Sequence, residues 1–197
     1  MSIPINSPDY WHVVMKKKAG HTRYLAAVPA VALVALVLFL TLTPPSPQSK
    51  VVVSTAAPPF SLEEINADGL TGRVFSSTSL KGKPTLIEFV FEWCPHCNRM
   101  VPTVEALHER YGDKVFFLTV LGSQGTTPQK SAEFLKKHGI GWTAVYDPTM
   151  KVFLDYGVRG TPTYFFIRPD GTIMRKLEGE QSYDVLSRTM EELLSGL

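Results

Sequence analysis

The chain has 197 residues and a formal net charge of +2, from 20 lysines and arginines against 18 aspartates and glutamates. Five of the basic residues and one acidic residue lie in residues 1–57, so the rest of the chain is slightly acidic. This distribution weighs against a nucleic-acid-binding domain, which needs a basic surface. Two cysteines exclude a scaffold held together by several disulfides.

The beginning of the chain predicts a membrane anchor. Residues 1–24 have little capacity to form a core, and residues 25–42 are apolar apart from Pro29 and Thr41. A helix of this length spans about 27 Å, close to the thickness of a bilayer core. Basic residues cluster before the span, whereas Lys50 is the one nearby cation after it. This asymmetry predicts a single-pass protein of the cell membrane, with a cytoplasmic tail (1–24), a transmembrane anchor (25–42) and the remainder on the periplasmic side.

A cleaved signal peptide shows the same order of basic, apolar and small-residue regions. The apolar run is longer than usual for such a peptide, and Thr43-Pro44-Pro45 follows it without a good cleavage site. Ser54-Thr55-Ala56 has suitable residues but lies far from the apolar run. An uncleaved anchor is therefore favoured.

The remaining chain divides into a tether and one domain. Residues 43–59 contain five prolines and predict an extended, semi-rigid tether. Residues 60–197 are sufficient for a single domain with its own core.

Strand and helix patterns alternate along this domain. The predicted elements, in chain order, are a β-hairpin from residues 60–62 and 73–75, a buried strand over 85–91, a helix over 95–111 kinked at Pro102, a strand over 115–121, a helix over 128–138, a strand over 142–146, a short helix over 149–156, a hairpin from 163–167 and 172–177, and a helix over 182–197. This order predicts an α/β fold with a mixed central sheet flanked by helices.

The motif Trp93-Cys94-Pro95-His96-Cys97 contains both cysteines. Cysteines this close form a small disulfide ring that opens and closes, which is redox chemistry. Cys94 lies where a strand passes into a helix, so the helix N-terminus favours its thiolate and predicts that it is the nucleophile. Cys97, one turn later, is expected to be more buried and to have a higher pKa, and His96 supplies a positive charge or a hydrogen-bond donor.

Two further positions complete the predicted site. Glu88 is the ionisable residue of the buried strand, and desolvation is expected to raise its pKa, so that it exchanges a proton with Cys97. A solvent-facing acid on a peripheral strand is the alternative. Thr161-Pro162 precedes the strand over 163–167, where the proline is either cis or an ordinary trans proline.

Together, these residues resemble the thioredoxin superfamily over residues 60–197. Glu88 lies six residues before Cys94, and Pro162 lies 65 residues after Cys97, where that family places its buried acid and its cis-proline. The resemblance implies that Pro162 is cis and packs against a redox-active Cys94–Cys97 disulfide. It further implies that the Thr161 backbone, with Trp93, Pro95 and His96, contacts the substrate.

The anchor, tether, N-terminal hairpin and central α/β insertion resemble the TlpA/ResA-like extracytoplasmic thioredoxins. That resemblance implies exported proteins, such as apocytochromes c, as thiol or disulfide substrates, and a membrane thiol carrier as electron partner. It implies no metal and no organic cofactor, because the dithiol holds the electrons. The absence of an added dimerisation segment favours a monomer.

Three alternatives differ from this resemblance in a specific motif. Pro95-His96 is the dipeptide typical of DsbA-type oxidants, so the direction of electron flow stays open. A copper-binding metallochaperone would use both cysteines and a histidine, but such relatives space their cysteines one residue wider. A peroxiredoxin needs Thr-x-x-Cys, a pattern that Glu92-Trp93 does not fit.

Overall fold

The computed structural model describes residues 55–196. The predicted tail, the predicted anchor and residues 43–54 of the tether lie outside the described residues. Within residues 55–196, no helix combines the length and the apolar character needed to cross a bilayer.

Seven strands and four α-helices make up the domain. The strands are β1 (Ser61–Asn66), β2 (Gly69–Ser76), β3 (Thr85–Val90), β4 (Phe116–Gly122), β5 (Thr143–Asp147), β6 (Thr163–Ile167) and β7 (Ile173–Glu178). The helices are α1 (Pro95–Tyr111), α2 (Pro128–Lys137), α3 (Lys151–Asp155) and α4 (Tyr183–Ser195).

The strands form one sheet in the order β2-β1-β5-β4-β3-β6-β7. The three central strands β5, β4 and β3 run parallel, whereas β1 pairs antiparallel with β5 and β6 pairs antiparallel with β3. Parallel neighbours need crossover connections, which α1 and α2 provide. The mixed sheet predicted from the order of elements is confirmed.

Both faces of the sheet are covered. On β3, Ile87 and Phe89 face a layer that includes residues of α2 and α3. Leu86 faces the opposite layer, which α1 and α4 fill with Leu107, Leu186 and other apolar side chains. All six residues of β3 are buried, as expected for a strand covered on both sides. Glu88 alternates with Ile87 and Phe89, so it lies on the same side as Leu86.

Element bounds agree closely with the predictions in most places. The predicted bounds of α1 and β6 match the observed bounds. The N-terminal hairpin strands are longer than predicted, because β1 extends to Asn66 by pairing with both β2 and β5. Main-chain hydrogen bonds define this pairing. Polar residues such as Glu63 and Glu64 interrupt the apolar pattern from which strands are predicted, so the pattern does not indicate the full length of β1.

Candidate functional site

Cys94 lies between the start of α1 and the segment that precedes β6. It is the N-cap residue of α1, and the backbone N–H of Cys97 points at its Sγ over 3.5 Å. On the other side, the Sγ lies 3.4 Å from the carbonyl oxygen of Thr161. Pro95 occupies the first turn, where a missing N–H costs nothing. The strand-to-helix junction predicted for Cys94 is confirmed.

The surroundings of Cys94 favour its thiolate. Burial by itself raises the pKa of the thiol, but hydrogen bonds with the side chains of Thr161 and Cys97 and with the backbone of Cys97 and His96 act in the opposite direction. Their combined effect is larger, so the pKa of Cys94 lies below its ordinary value. The thiolate is the reactive form of cysteine, so the lowered pKa makes Cys94 the more reactive of the two thiols.

Cys97 has the opposite character. Cys97 is 1% exposed, against 5% for Cys94. Burial raises the pKa of Cys97 far above its ordinary value, and the neighbouring Cys94 raises it further. Two cysteines three residues apart therefore differ strongly in acidity, in the direction predicted from the sequence.

The Thr161–Pro162 peptide bond is cis. This agrees with the thioredoxin resemblance and decides between the two alternatives left open by the sequence. The carbonyl oxygen of Pro162 accepts a hydrogen bond from the N–H of Gly179, which follows β7. The segment that carries Thr161 is thus joined to the end of β7 while it faces Cys94.

Trp93 presents an aromatic surface beside the cysteines. The side chain is 54% exposed, although its ring stacks on Phe91 with centroids 4.9 Å apart. Its indole N–H donates to the carbonyl oxygen of Gln124 over 2.9 Å. The ring is therefore held in place by two contacts and leaves one surface open next to Cys94.

His96 belongs to a surface cluster that the sequence did not predict. Its Nδ1 lies 2.5 Å from Glu180 Oε1, and the same oxygen accepts from Arg99 Nε over 3.0 Å. Arg99 and then His96 lower the pKa of Glu180 to about 2. Glu180 lies in the short connection between β7 and α4, 84 positions from His96. No local motif marks it, so sequence reasoning had no signal for it.

Glu88 is buried in the middle of the sheet, with 6% of its surface exposed. Its neighbours in register are Thr119 on β4 and Tyr164 on β6. Burial raises the pKa of Glu88 to about 7, against a smaller lowering by the Thr119 hydroxyl, which donates to Oε2 over 3.4 Å. The solvent-facing alternative for Glu88 is therefore wrong.

The site residues predicted from the sequence fall into two groups. Cys94, Cys97 and Thr161 meet at the Cys94 sulfur. Trp93, Pro95, His96 and Pro162 are their immediate neighbours along the chain. Glu88 lies beneath them, and within residues 55–196 no hydrogen bond joins its carboxyl group to either cysteine. Glu88 and Cys97 both act on the buried hydroxyl of Tyr164, whose pKa burial and these groups raise.

Thr119 and Trp142 also belong to the surroundings of Glu88, and the sequence did not single them out for this. Trp142 packs partly buried against the α1–α4 layer. Its indole N–H also donates to Thr119 Oγ1 over 2.8 Å. The register of β4 against β3 places Thr119 beside Glu88. The contact between Trp142 and Thr119 can therefore be connected with Glu88 only once this register is known.

Fold and site together define a thioredoxin-like protein. Its two cysteines lie at the start of the helix that follows a central strand of a mixed sheet. The profile of the AhpC/TSA family matches residues 53–176, more than half of the chain, and the chain belongs to this family.

Named relatives agree with this class. The chain is 25% identical to the thiol-disulfide oxidoreductase ResA of Bacillus thuringiensis over 146 residues, 74% of this chain and 81% of ResA. It is 28% identical to the thiol:disulfide interchange protein HelX of Rhodobacter capsulatus, over 77% of this chain and 82% of HelX. The structure of DsbF from Mycobacterium tuberculosis superposes with a TM-score of 0.60 at 30% identity, covering 68% of this chain and 94% of DsbF.

Proposed function

We propose that the chain is a membrane-anchored, extracytoplasmic thiol–disulfide oxidoreductase that exchanges disulfides with exported proteins through Cys94 and Cys97. The observation that carries this proposal is the contrast between the two thiols. Hydrogen bonds favour the thiolate of Cys94, whereas burial disfavours that of Cys97. Such a pair separates the attacking group from the resolving group. The names of ResA and HelX support the same activity.

In the reductive direction, the Cys94 thiolate attacks one sulfur of a substrate disulfide. A Cys94–substrate disulfide forms, the substrate S–S bond breaks, and the first substrate sulfur leaves as a thiolate. Cys97 then gives its proton through an intervening water to Glu88 and attacks the Cys94 sulfur. The Cys94–Cys97 disulfide forms, the second substrate sulfur leaves as a thiolate, and two electrons have passed to the substrate.

The remaining site residues act on the substrate chain. Trp93 offers its open ring surface, and Pro95 and His96 lie exposed at the first turn of α1. Thr161 and Pro162 lie across the Cys94 sulfur from that turn, with the Thr161 carbonyl directed at it. An extended substrate segment bound between them would have its disulfide next to Cys94.

The favoured direction is reduction, as in cytochrome c maturation, with a membrane thiol carrier that restores the dithiol. The resemblance to ResA-like proteins supports this direction. An oxidant of exported proteins is the second candidate, because the Pro95-His96 dipeptide and the nearby Arg99 place donors and positive charge beside the Cys94 thiolate. A stabilised thiolate makes the reduced form more stable and the disulfide more oxidising.

The anchor and the tether belong to the same proposal. The apolar run 25–42 and the basic residues before it support a cytoplasmic N-terminus and a catalytic domain on the periplasmic side. A proline-rich tether gives the domain reach towards partners near the membrane while it stays attached.

The two cysteine variants test the activity. Cys94→Ser is expected to abolish exchange with a disulfide substrate, because the attacking thiolate is lost. Cys97→Ser is expected to accumulate a Cys94–substrate disulfide, which non-reducing electrophoresis and mass spectrometry detect. Equal trapping by both variants, or exchange that survives in both, would refute the assignment.

A further inference from the structure

Glu88 belongs to a row of polar side chains that crosses the sheet inside the protein. Thr119 is fully buried on β4, and Trp142 precedes β5. The Trp142 indole N–H donates to Thr119 Oγ1 over 2.8 Å, and the Thr119 hydroxyl donates to Glu88 Oε2 over 3.4 Å. The row therefore runs from the residue before β5 through β4 to β3.

The direction of both hydrogen bonds follows from the chemistry of the groups. An indole N–H donates and never accepts, so Thr119 Oγ1 is the acceptor in the first contact. The single hydroxyl proton of Thr119 then remains for Glu88. A hydroxyl that accepts one bond becomes a better donor in the next, so Trp142 strengthens the contact of Thr119 with Glu88.

Thr119 is the one side chain within residues 55–196 that donates a hydrogen bond to Glu88. Around Glu88, Tyr164 lies on β6, and Glu88 and the two cysteines at the start of α1 act on it. His108 of α1 packs against the ring of Trp142, with centroids 4.9 Å apart. Glu180, after β7, also acts on Tyr164. Burial and the hydrogen bond from Thr119 are the two influences on the pKa of Glu88 within residues 55–196, so the hydrogen bond from Thr119 is the contact that favours the carboxylate.

We propose that Thr119, oriented by Trp142, is a positioning residue that holds the Glu88 carboxylate and sets the pH range in which Glu88 accepts the proton of Cys97. This inference rests on the proposed function for the role of Cys97. The hydrogen-bonded row itself does not depend on that function. Thr119 touches neither sulfur nor substrate and acts only through Glu88.

Thr119→Val tests the proposal, because it replaces the hydroxyl by a methyl group at nearly the same shape. Loss of one hydrogen bond to a carboxylate is expected to raise the pH midpoint of Glu88 by about one unit. At pH 7 the ionised fraction would then fall about fivefold, and resolution by Cys97 would slow to match. Trp142→Phe is expected to shift the midpoint in the same direction by less, and Thr119→Ser to restore it.

Two measurements on the full chain distinguish the protonation of Glu88 from the rate at which Cys97 reacts. The infrared carbonyl band that Glu88→Gln removes reports protonation of Glu88 as a function of pH. The aromatic disulfide DTNB reports the reaction, because attack by Cys94 releases one coloured thiolate and resolution by Cys97 releases a second. The pH profile of the second release is expected to move with the infrared midpoint.

The matched control is Thr189→Val on α4. Thr189 is also buried, and its hydroxyl donates to the Val185 carbonyl over 2.8 Å rather than to Glu88. A Glu88 midpoint in Thr119→Val equal to that in Thr189→Val would overturn the proposal. The proposal would also be overturned if Thr119→Val shifted the pH midpoint of Glu88 but left unchanged the pH profile of the second thiolate release from DTNB. Failure of Cys94 to react with DTNB would refute the proposed function instead, and the infrared titration would still decide whether Thr119 holds Glu88.

Discussion

Cys94 and the three charged or titratable side chains beside it show how single residues set the reactivity of the site. Arg99 is close enough for its charge to act on Cys94, and Glu180 neutralises part of that charge through a direct ion pair. His96 is held by the same carboxylate. The electrostatic surroundings of the thiolate thus depend on a residue that follows β7.

Changing the charge of Glu180 tests this influence. Glu180→Gln is expected to lower the pKa of Cys94 by a few tenths of a unit, because Arg99 loses its counter-charge and exposed charges act weakly. Arg99→Gln is expected to raise the pKa of Cys94, because the carboxylate remains without its guanidinium. The rate of Cys94 alkylation by iodoacetamide as a function of pH measures both. A shift of the same sign in both variants would contradict this explanation.

At the scale of elements, the end of β4 supports the loop that carries Trp93. Gly122 is the last residue of β4, and a Cβ atom there would lie 2.4 Å from the ring of Phe91 and 2.9 Å from that of Phe153. Phe91 in turn stacks on Trp93. Close approach of β4 to these rings therefore requires glycine.

Gly122→Ala is expected to destabilise the protein by about 1–3 kcal/mol, because the added methyl group overpacks the aromatic stack. It is also expected to change the fluorescence of Trp93, whose ring would have to move. Urea unfolding and emission spectra measure the two effects. Gly141→Ala is the control, since a Cβ there meets nothing closer than 4.0 Å. Equal stability of the two variants would show that β4 does not support the Trp93 loop in this way.

Local patterns predicted the elements that pack most simply. The alternation of apolar runs and helix signals located β3, α1 and β6, because each has strong boundaries in the sequence, such as Pro95 and Gly112 for α1. The acidity difference of the two cysteines also followed from local position. The contacts of Glu180 with His96, and of Trp142 with Thr119, could not be predicted, because they depend on strand register and on segments that meet only in the folded chain.

For the whole molecule, burial of Glu88 links stability to pH. The pKa of Glu88 is about 7 in the folded protein, against an ordinary value of 4.5 when exposed. The folded state therefore binds the proton more tightly than the unfolded state. The contribution of Glu88 to stability is fully present below pH 4.5 and is lost as the pH rises to 7 and above, by about 3 kcal/mol.

Glu88→Gln removes this titration. The variant is expected to lose less stability than the wild-type chain between pH 5 and pH 8, since glutamine stays neutral over the whole range. Unfolding by urea at several pH values measures the difference. A wild-type stability that falls no more steeply than that of the variant would show that Glu88 does not titrate as a buried acid.

For the molecule to act as proposed, Cys94 and Cys97 must form one reversible dithiol. The most direct measurement equilibrates the full chain with glutathione buffers of graded ratio, quenches it by alkylation, and determines the mass of the segment that contains both cysteines. We predict a single two-electron transition between dithiol and Cys94–Cys97 disulfide. A midpoint near the roughly −270 mV of thioredoxin would favour the reductant, and one near the roughly −120 mV of DsbA the oxidant. Cysteines that never pair, or that react one at a time with glutathione at every ratio, would contradict the account.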